Sequence, residues 1–213
     1  FDVSLLSPAE VNQKFGFNSY GGILSEDGAV VDAYTLTHSL LQASIKSGSP
    51  VFDHSNVEEI IHHPRHVELR ISGGFCVKAR KLIIACGYES QQYISKQVQN
   101  MQSTFAIISE QSTARHLWFK NALIWETRKP YLYLRNTEDG RILIGGKDVK
   151  TSNPNKRDAL LPVKTRQLEK AFRELFPGIP FKTDFSWAGS FASTKDGLPY
   201  IGSIPERPHT YFA

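Results

Sequence analysis

Two cysteines in 213 residues, Cys76 and Cys86, are too few for a disulfide framework, and a reducing, cytoplasmic compartment is expected. No apolar run approaches the roughly 18 residues that a membrane helix needs, so no membrane partner is expected. A net charge of +4 is too mild to argue for nucleic acid, and no interleaving of aromatic and basic residues suggests an RNA platform. The sequence contains no G-x-S-x-G, no H-E-x-x-H and no C-x-x-C, which removes three routes to a hydrolase, a zinc protease or a redox dithiol. Its carboxylates are scattered, so no glycosidase-like pair can be nominated. G-x-G-x-x-G is missing as well: Gly21-Gly22 and Gly145-Gly146 do not sit in the strand, loop and helix that a dinucleotide fingerprint requires.

What is present is ordinary for a globular protein, with 40% hydrophobic and 22% charged residues. Ser7-Pro8-Ala9-Glu10 reads as a capping box opening a short helix that ends near Gly16. Tyr20 to Leu24 reads as a strand. Asp32 caps a helix from Ala33 to about Lys46, with Leu36, Leu40, Leu41 and Ile45 along one face and Ser47-Gly48 ending it. Short strands are expected at Val57 to Ile61, Val67 to Ile71 and Phe75 to Val77, the first two separated by His62-His63-Pro64-Arg65-His66. Leu82 to Gly87 is apolar without alternation, the pattern of a strand buried on both faces in a parallel sheet. A helix is expected at Ser90 to Ser95. Further strands follow at Thr104 to Ile108, Ala122 to Glu126, Tyr131 to Arg135 and Ile142 to Gly145, with a turn at Asp139-Gly140. Thr165 to Phe176 is an amphipathic helix with Leu168, Ala171, Phe172 and Leu175 inward.

One stretch organises the rest. Phe181, Thr183, Phe185 and Trp187 alternate with polar residues as in a half-buried strand. Bulk then vanishes around Phe191, and Asp196-Gly197 turns the chain into Leu198-Pro199-Tyr200. Spacing alone describes a bulge and hairpin equally well. Ala85-Cys86-Gly87 likewise closes its strand with small residues that let a ligand approach backbone, and a tight turn would look the same. Cys86 has no adjacent basic partner and reads as a buried small hydrophobe rather than a reactive thiol. His62, His63 and His66 lie in a proline-containing turn without an acidic or cysteine partner, and no metal site is expected.

Trp187-Ala188-Gly189, then Thr194 to Gly202 (TKDGLPYIG), resembles the C-terminal signature of the D-amino-acid oxidase and glycine oxidase family of FAD-dependent oxidoreductases. Gly28 to Asp32, the helix after it and Gly48 to Val51 resemble the central segment of that family, and Lys81 to Ser90 resembles its Ala-Thr-Gly-like motif with cysteine in the middle. The resemblance covers about Gly21 to Ser90 and Ile142 to Ala213 well and the middle loosely. It implies an α+β fold, with a largely antiparallel substrate-domain sheet and packed helices plus part of an α/β FAD-binding domain. The segments would divide as 1–25 and 96–187 in the substrate domain, 26–95 in the FAD-binding domain, and 188–213 returning to it.

The resemblance also implies FAD as cofactor, with Val57, Ala85, Cys86, Gly87, Gly197, Leu198 and Pro199 beside it, and a small-molecule substrate against Tyr131, Tyr133, Trp187 and Phe191. Where the family's amino-acid oxidases place a carboxylate-binding arginine, this sequence has Phe191. Arg135 or Arg141 could substitute, and each reads equally as a solvated hairpin residue. Because the chain opens at Phe1 and ends in the extended Tyr211-Phe212-Ala213, a piece of a longer protein is expected, whose N- and C-terminal FAD-binding segments would be its partners. On that reading the piece alone binds FAD weakly or not at all and is inactive, while the full protein oxidises a C–N bond by hydride transfer to flavin. The alternative from another class is a non-catalytic binding module that keeps the substrate fold without flavin. No catalytic acid or base can be nominated.

Overall fold

The computed structural model describes residues 2–112 and 118–213. The chain divides into two compact units: 1–29 with 100–193, and 30–99 with 194–213.

The first unit opens with strand β1 (Val3–Leu6), helix α1 (Pro8–Phe15) and strand β2 (Gly22–Ser25). The capping box forms as its spacing demands: Ser7 accepts from the Glu10 N–H, and Glu10 accepts from the Ser7 N–H. Gly16 takes the left-handed conformation that ends α1. β1 and β2 pair antiparallel; of the two, the sequence pointed only to a strand at Tyr20 to Leu24.

The centre of this unit is a five-stranded sheet in the order β11-β7-β10-β9-β8, made of β7 (Gln99–Ser109), β8 (Ile124–Trp125), β9 (Leu132–Asn136), β10 (Ile142–Val149) and β11 (Thr183–Thr194). β10 runs antiparallel to both β7 and β9, and β8 antiparallel to β9. One face carries Phe105, Ile107, Leu132, Leu134, Ile142 and Ile144, which pack with α1 and with helix α3 (Pro154–Leu175) into a single core. Leu168 and Phe172 of α3 are fully buried, and Ala171 and Leu175 pack against the cluster, as the amphipathic pattern required.

α3 begins eleven residues before the helix that periodicity marked, because Asn153 caps it and Pro154 occupies its first turn. It runs through Pro162, where a lost hydrogen bond and ring clash cost about 3 kcal/mol. Burying Leu168 and Phe172, at roughly 1.5–3 kcal/mol each, offsets that cost. β11 also differs from the expected strand: it continues through Gly189 to Thr194, since backbone pairing needs no side-chain bulk.

The second unit contains helix α2 (Ala33–Lys46), the meander β3 (Val57–His62), β4 (Val67–Ile71) and β5 (Phe75–Ala79), and a small sheet of β6 (Leu82–Ile84), β12 (Gly202–Ser203) and β13 (Thr210–Phe212). Asp32 caps α2 through the Thr35 N–H. Gly73 and Gly74, both at φ near +80°, make the β4–β5 turn that other residues would strain to adopt. β6 pairs parallel with β13, so the parallel expectation holds, but burial on both faces does not. Ile84 is buried while Ile83 is 67% exposed, because β6 is an edge strand with one uncovered face. The helix expected at Ser90 to Ser95 is a 3₁₀ segment at Gly87–Tyr93 instead. α2 buries none of its residues, and its apolar stripe is exposed, Leu40 at 60%.

Candidate functional site

The face of the five-stranded sheet opposite the core holds an open groove of about 380 Å³. Strand register places its walls. Tyr133 lies across from Gly145 on one side and Trp125 on the other, Arg135 across from Leu143, and Gly145 across from Ala106. Side chains at alternate positions share a face, so Tyr133, Arg135, Leu143 and Ala106 point the same way, and Trp187 of β11 joins them along the groove.

Gly145 is required by this arrangement. A Cβ there would stand 2.2 Å from the Tyr133 ring, so the ring lies across β10 only because Gly145 has no side chain. Gly146, at φ +129°, brings its Cα against the Tyr131 carbonyl, an approach a side chain would block. The Tyr133 hydroxyl meets the Thr104 hydroxyl at 3.4 Å. Tyr131 packs edge-on against Trp125, with ring centroids 5.8 Å apart, and lies beside Tyr133 at 6.2 Å.

Burial, reinforced by the neighbouring Asp148 carboxylate, pushes the Tyr131 phenol well above its ordinary value. Burial also raises Tyr133, with the negative charge of Asp148 adding and the Thr104 hydroxyl opposing. Both phenols are therefore protonated and neutral at neutral pH. Oδ1 of Asp148 is buried without a hydrogen-bond partner among the described residues. Sequence reasoning missed Asp148, since one acid after Gly146-Lys147 carries no spacing signal. It also missed Trp125, which the pairing with Tyr133 alone brings in.

The two arginines separate clearly. Arg141 donates to Asp139, Asp184 and the Ser109 carbonyl, so it is an ion-paired strut rather than a solvated hairpin residue. Arg135 lines the groove, half-buried, and has no carboxylate partner among the described residues. Phe191 is half-buried four residues beyond Trp187 on β11, about 13 Å along the strand, and does not line the groove.

All seven residues nominated for FAD lie in the second unit, and all four nominated for substrate lie in the first. Val57 opens β3 beside a bulge. Ala85, Cys86 and Gly87 follow β6 and are exposed. Cys86 is thus not a buried hydrophobe; its position past the end of an edge strand leaves it open, and its sulfur lies 3.4 Å from the Ser90 hydroxyl. Gly197 is left-handed at φ +74° with open space where a Cβ would stand. Asp196 accepts from the Leu198 N–H and Thr194 donates to the Leu198 carbonyl, holding Leu198 out at 63% exposure. Exposed backbone beside small residues suits one face of a flat ring, while nothing in this set resembles a phosphate cradle.

His62, expected alongside His63 and His66, turns away and bonds the Thr210 hydroxyl at 2.9 Å. The acidic partner thought absent from this turn is Glu68, which antiparallel pairing on β4 brings beside His63.

The chain belongs to the FAD-dependent oxidoreductase (DAO) family, whose model matches residues 1–213. It is 24% identical to glycine oxidase of Bacillus subtilis (strain 168) over 99% of this chain and 56% of that protein. It therefore spans little more than half the length of that relative. Glycine oxidase from Geobacillus kaustophilus superposes with a TM-score of 0.74 at 20% identity, over 100% of this chain and 57% of that one. NikD, an unusual amino acid oxidase of nikkomycin biosynthesis, gives 0.79 at 14% identity, over 99% and 60%. These superpositions support a mixed α+β fold with mostly antiparallel sheets. Among the described residues no helix is long and apolar enough to cross a membrane.

Proposed function

We propose that this chain is the substrate-binding part, with one side of the cofactor site, of an enzyme that oxidises the C–N bond of a small amino or imino acid. The observation that carries this reading is Arg135, a guanidinium without a carboxylate partner among the described residues, in a groove walled by Tyr133 and Trp187. A carboxylate there would receive a bidentate, charge-assisted pair, the recognition a planar guanidinium provides best. Relatives whose names denote glycine and amino acid oxidases support the substrate class.

When bound, FAD would accept the hydride from the carbon that bears nitrogen. The chain's own residues bind and orient: Arg135 fixes the carboxylate, Tyr133 and Trp187 exclude water from the apolar part, and Val57, Ala85 to Gly87 and Gly197 to Pro199 offer backbone to the cofactor. With no glycine-rich phosphate loop in this sequence, the isolated chain binds FAD weakly or not at all, and the segments that grip the pyrophosphate belong to the rest of the protein. A cytoplasmic location fits the two free thiols.

The test uses the whole protein. It should be yellow with bound flavin and turn over small amino or imino acids. Arg135→Leu should lower kcat/KM for them by roughly 10–100-fold, the range for a lost hydrogen bond to a charged group, and leave oxidation of amines lacking a carboxylate unchanged. A colourless protein would favour a binding module that keeps the fold without flavin. Submicromolar FAD binding by the isolated chain would mean that the cofactor residues are misassigned.

A further inference from the structure

The turn between β3 and β4 carries a second cluster of chemistry that the oxidoreductase reading does not use. The His63 N–H donates to the His66 carbonyl at 2.9 Å, closing the turn and bringing the two imidazoles together. Their rings stack with centroids 4.4 Å apart and planes 12° from parallel. Nε2 of each ring is shielded from water and has no hydrogen-bond partner among the described residues. Two orphaned ring nitrogens side by side are costly unless something accepts their lone pairs or takes their protons. Glu68, two residues after His66, points the same way: its Oε2 is 3.8 Å from His63 Nε2. One ligand atom from each of His63, His66 and Glu68 falls within 4.8 Å of the others.

We propose that His63, His66 and Glu68 bind a divalent transition-metal ion of the zinc class. Two neutral imidazoles and a carboxylate are a borderline donor set, suited to Zn²⁺, Ni²⁺ and Cu²⁺ and poorly to Mg²⁺ or Ca²⁺. Metal–ligand bonds near 2.0–2.2 Å place ligand atoms about 3.4 Å apart in a tetrahedron, so closure needs side-chain rotations in a half-buried turn and no change of fold. Water completes the coordination.

Lys78, across from Glu68 on β5, now sits 3.4 Å from the same carboxylate oxygen. Its ammonium is the cation that the metal would displace or share, since a carboxylate has room for both. The ion's role follows from its surroundings. His62 of this turn bonds Thr210, and the Pro64 carbonyl lies 3.0 Å from a ring nitrogen of His209. A metal at His63 and His66 would therefore lock the β3–β4 corner onto β13, which pairs with β6, the strand leading to Ala85-Cys86-Gly87.

The test titrates the chelator-stripped, tag-free chain with Zn²⁺ by calorimetry and with Co²⁺ by visible absorption. One equivalent should bind, Co²⁺ should give the d–d bands of a low-coordinate site, and saturating Zn²⁺ should raise Tm. His63→Ala and His66→Ala should each weaken binding by at least about tenfold, with circular dichroism showing the fold retained. Lys78→Gln should tighten it by removing the competitor, and His38→Ala, in α2, should leave it unchanged. Absence of binding at about 100 µM Zn²⁺ overturns the proposal, as does an unchanged stoichiometry and affinity in the His63→Ala, His66→Ala double variant.

Discussion

The two units of this chain treat their apolar residues in opposite ways. In the first, Phe105, Ile107, Leu134, Ile142, Ile144, Leu168 and Phe172 are sealed between one sheet face and two helices. In the second, Val67, Ile84, Thr210 and Phe212 are buried, while Leu36, Leu40, Leu41 and Ile45 form an exposed stripe along α2. Both α2 and α3 have good caps and a 3.6-residue apolar period. Amphipathicity thus specifies a stripe, whereas stability depends on what covers it. Within this chain the first unit covers its apolar residues, and the second leaves the α2 stripe uncovered.

The comparison is most readily broken at Phe172. Phe172→Ala removes a fully buried ring from the first core and should cost about 3–5 kcal/mol in urea unfolding of the chain. A cost below about 1 kcal/mol would mean that α3 does not seal this sheet.

A smaller effect is expected on the groove side of the same sheet. Gly145→Ala places a methyl 2.2 Å from the Tyr133 ring, so the ring must swing off β10. We expect a loss of about 1–3 kcal/mol together with a changed Tyr133 environment, read by near-ultraviolet circular dichroism. An unaltered spectrum with unaltered stability would show that Tyr133 does not lie across Gly145.

Smaller still is the same kind of truncation in the second unit. Leu40→Ala in the exposed stripe of α2 should shift stability by no more than about 0.5 kcal/mol. A loss approaching that of Phe172→Ala would erase the contrast between the units.

The smallest effect concerns the turn at Gly197. The Leu198 N–H, then the Thr194 hydroxyl, hold the Asp196 carboxyl below its ordinary value. A depressed carboxyl stabilises the fold fully above its unfolded value, near pH 3.8, and that contribution is lost as pH falls through the lower native value. Asp196→Asn keeps an acceptor for the Leu198 N–H and lacks the titration. The Tm difference between the two proteins should therefore shrink below about pH 4; a constant difference would show that the carboxylate charge plays no part in this turn.

Much of this molecule is legible in its sequence because much of it is local. The Ser7 and Asp32 caps, the Gly73-Gly74 and Asp139-Gly140 turns and the bounds of α2 and β4 depend on residues within one helical turn or one hairpin of each other. The family signature from Trp187 to Gly202 was legible too, since it is contiguous. Periodicity missed the first turns of α3, where a proline masked the pattern, and the far half of β11, where small residues hid a strand held by backbone pairing. The apolar run Leu82 to Gly87 pointed to two buried faces because a short apolar run does not reveal its neighbours.

The candidate sites show the same division. The sequence by itself determined which side chains each strand presents and with what alternation, because those follow from backbone geometry over a few residues. Only the tertiary structure decided that Tyr133 would lie over Gly145 with Trp125 beside it, that Arg141 would be tied to Asp184 while Arg135 would line the groove, and that Glu68 would meet His63 and His66. Those outcomes rest on strand register and on which face is covered. Both are set by the summed burial and hydrogen bonding of segments far apart in the chain, which no short window of sequence contains.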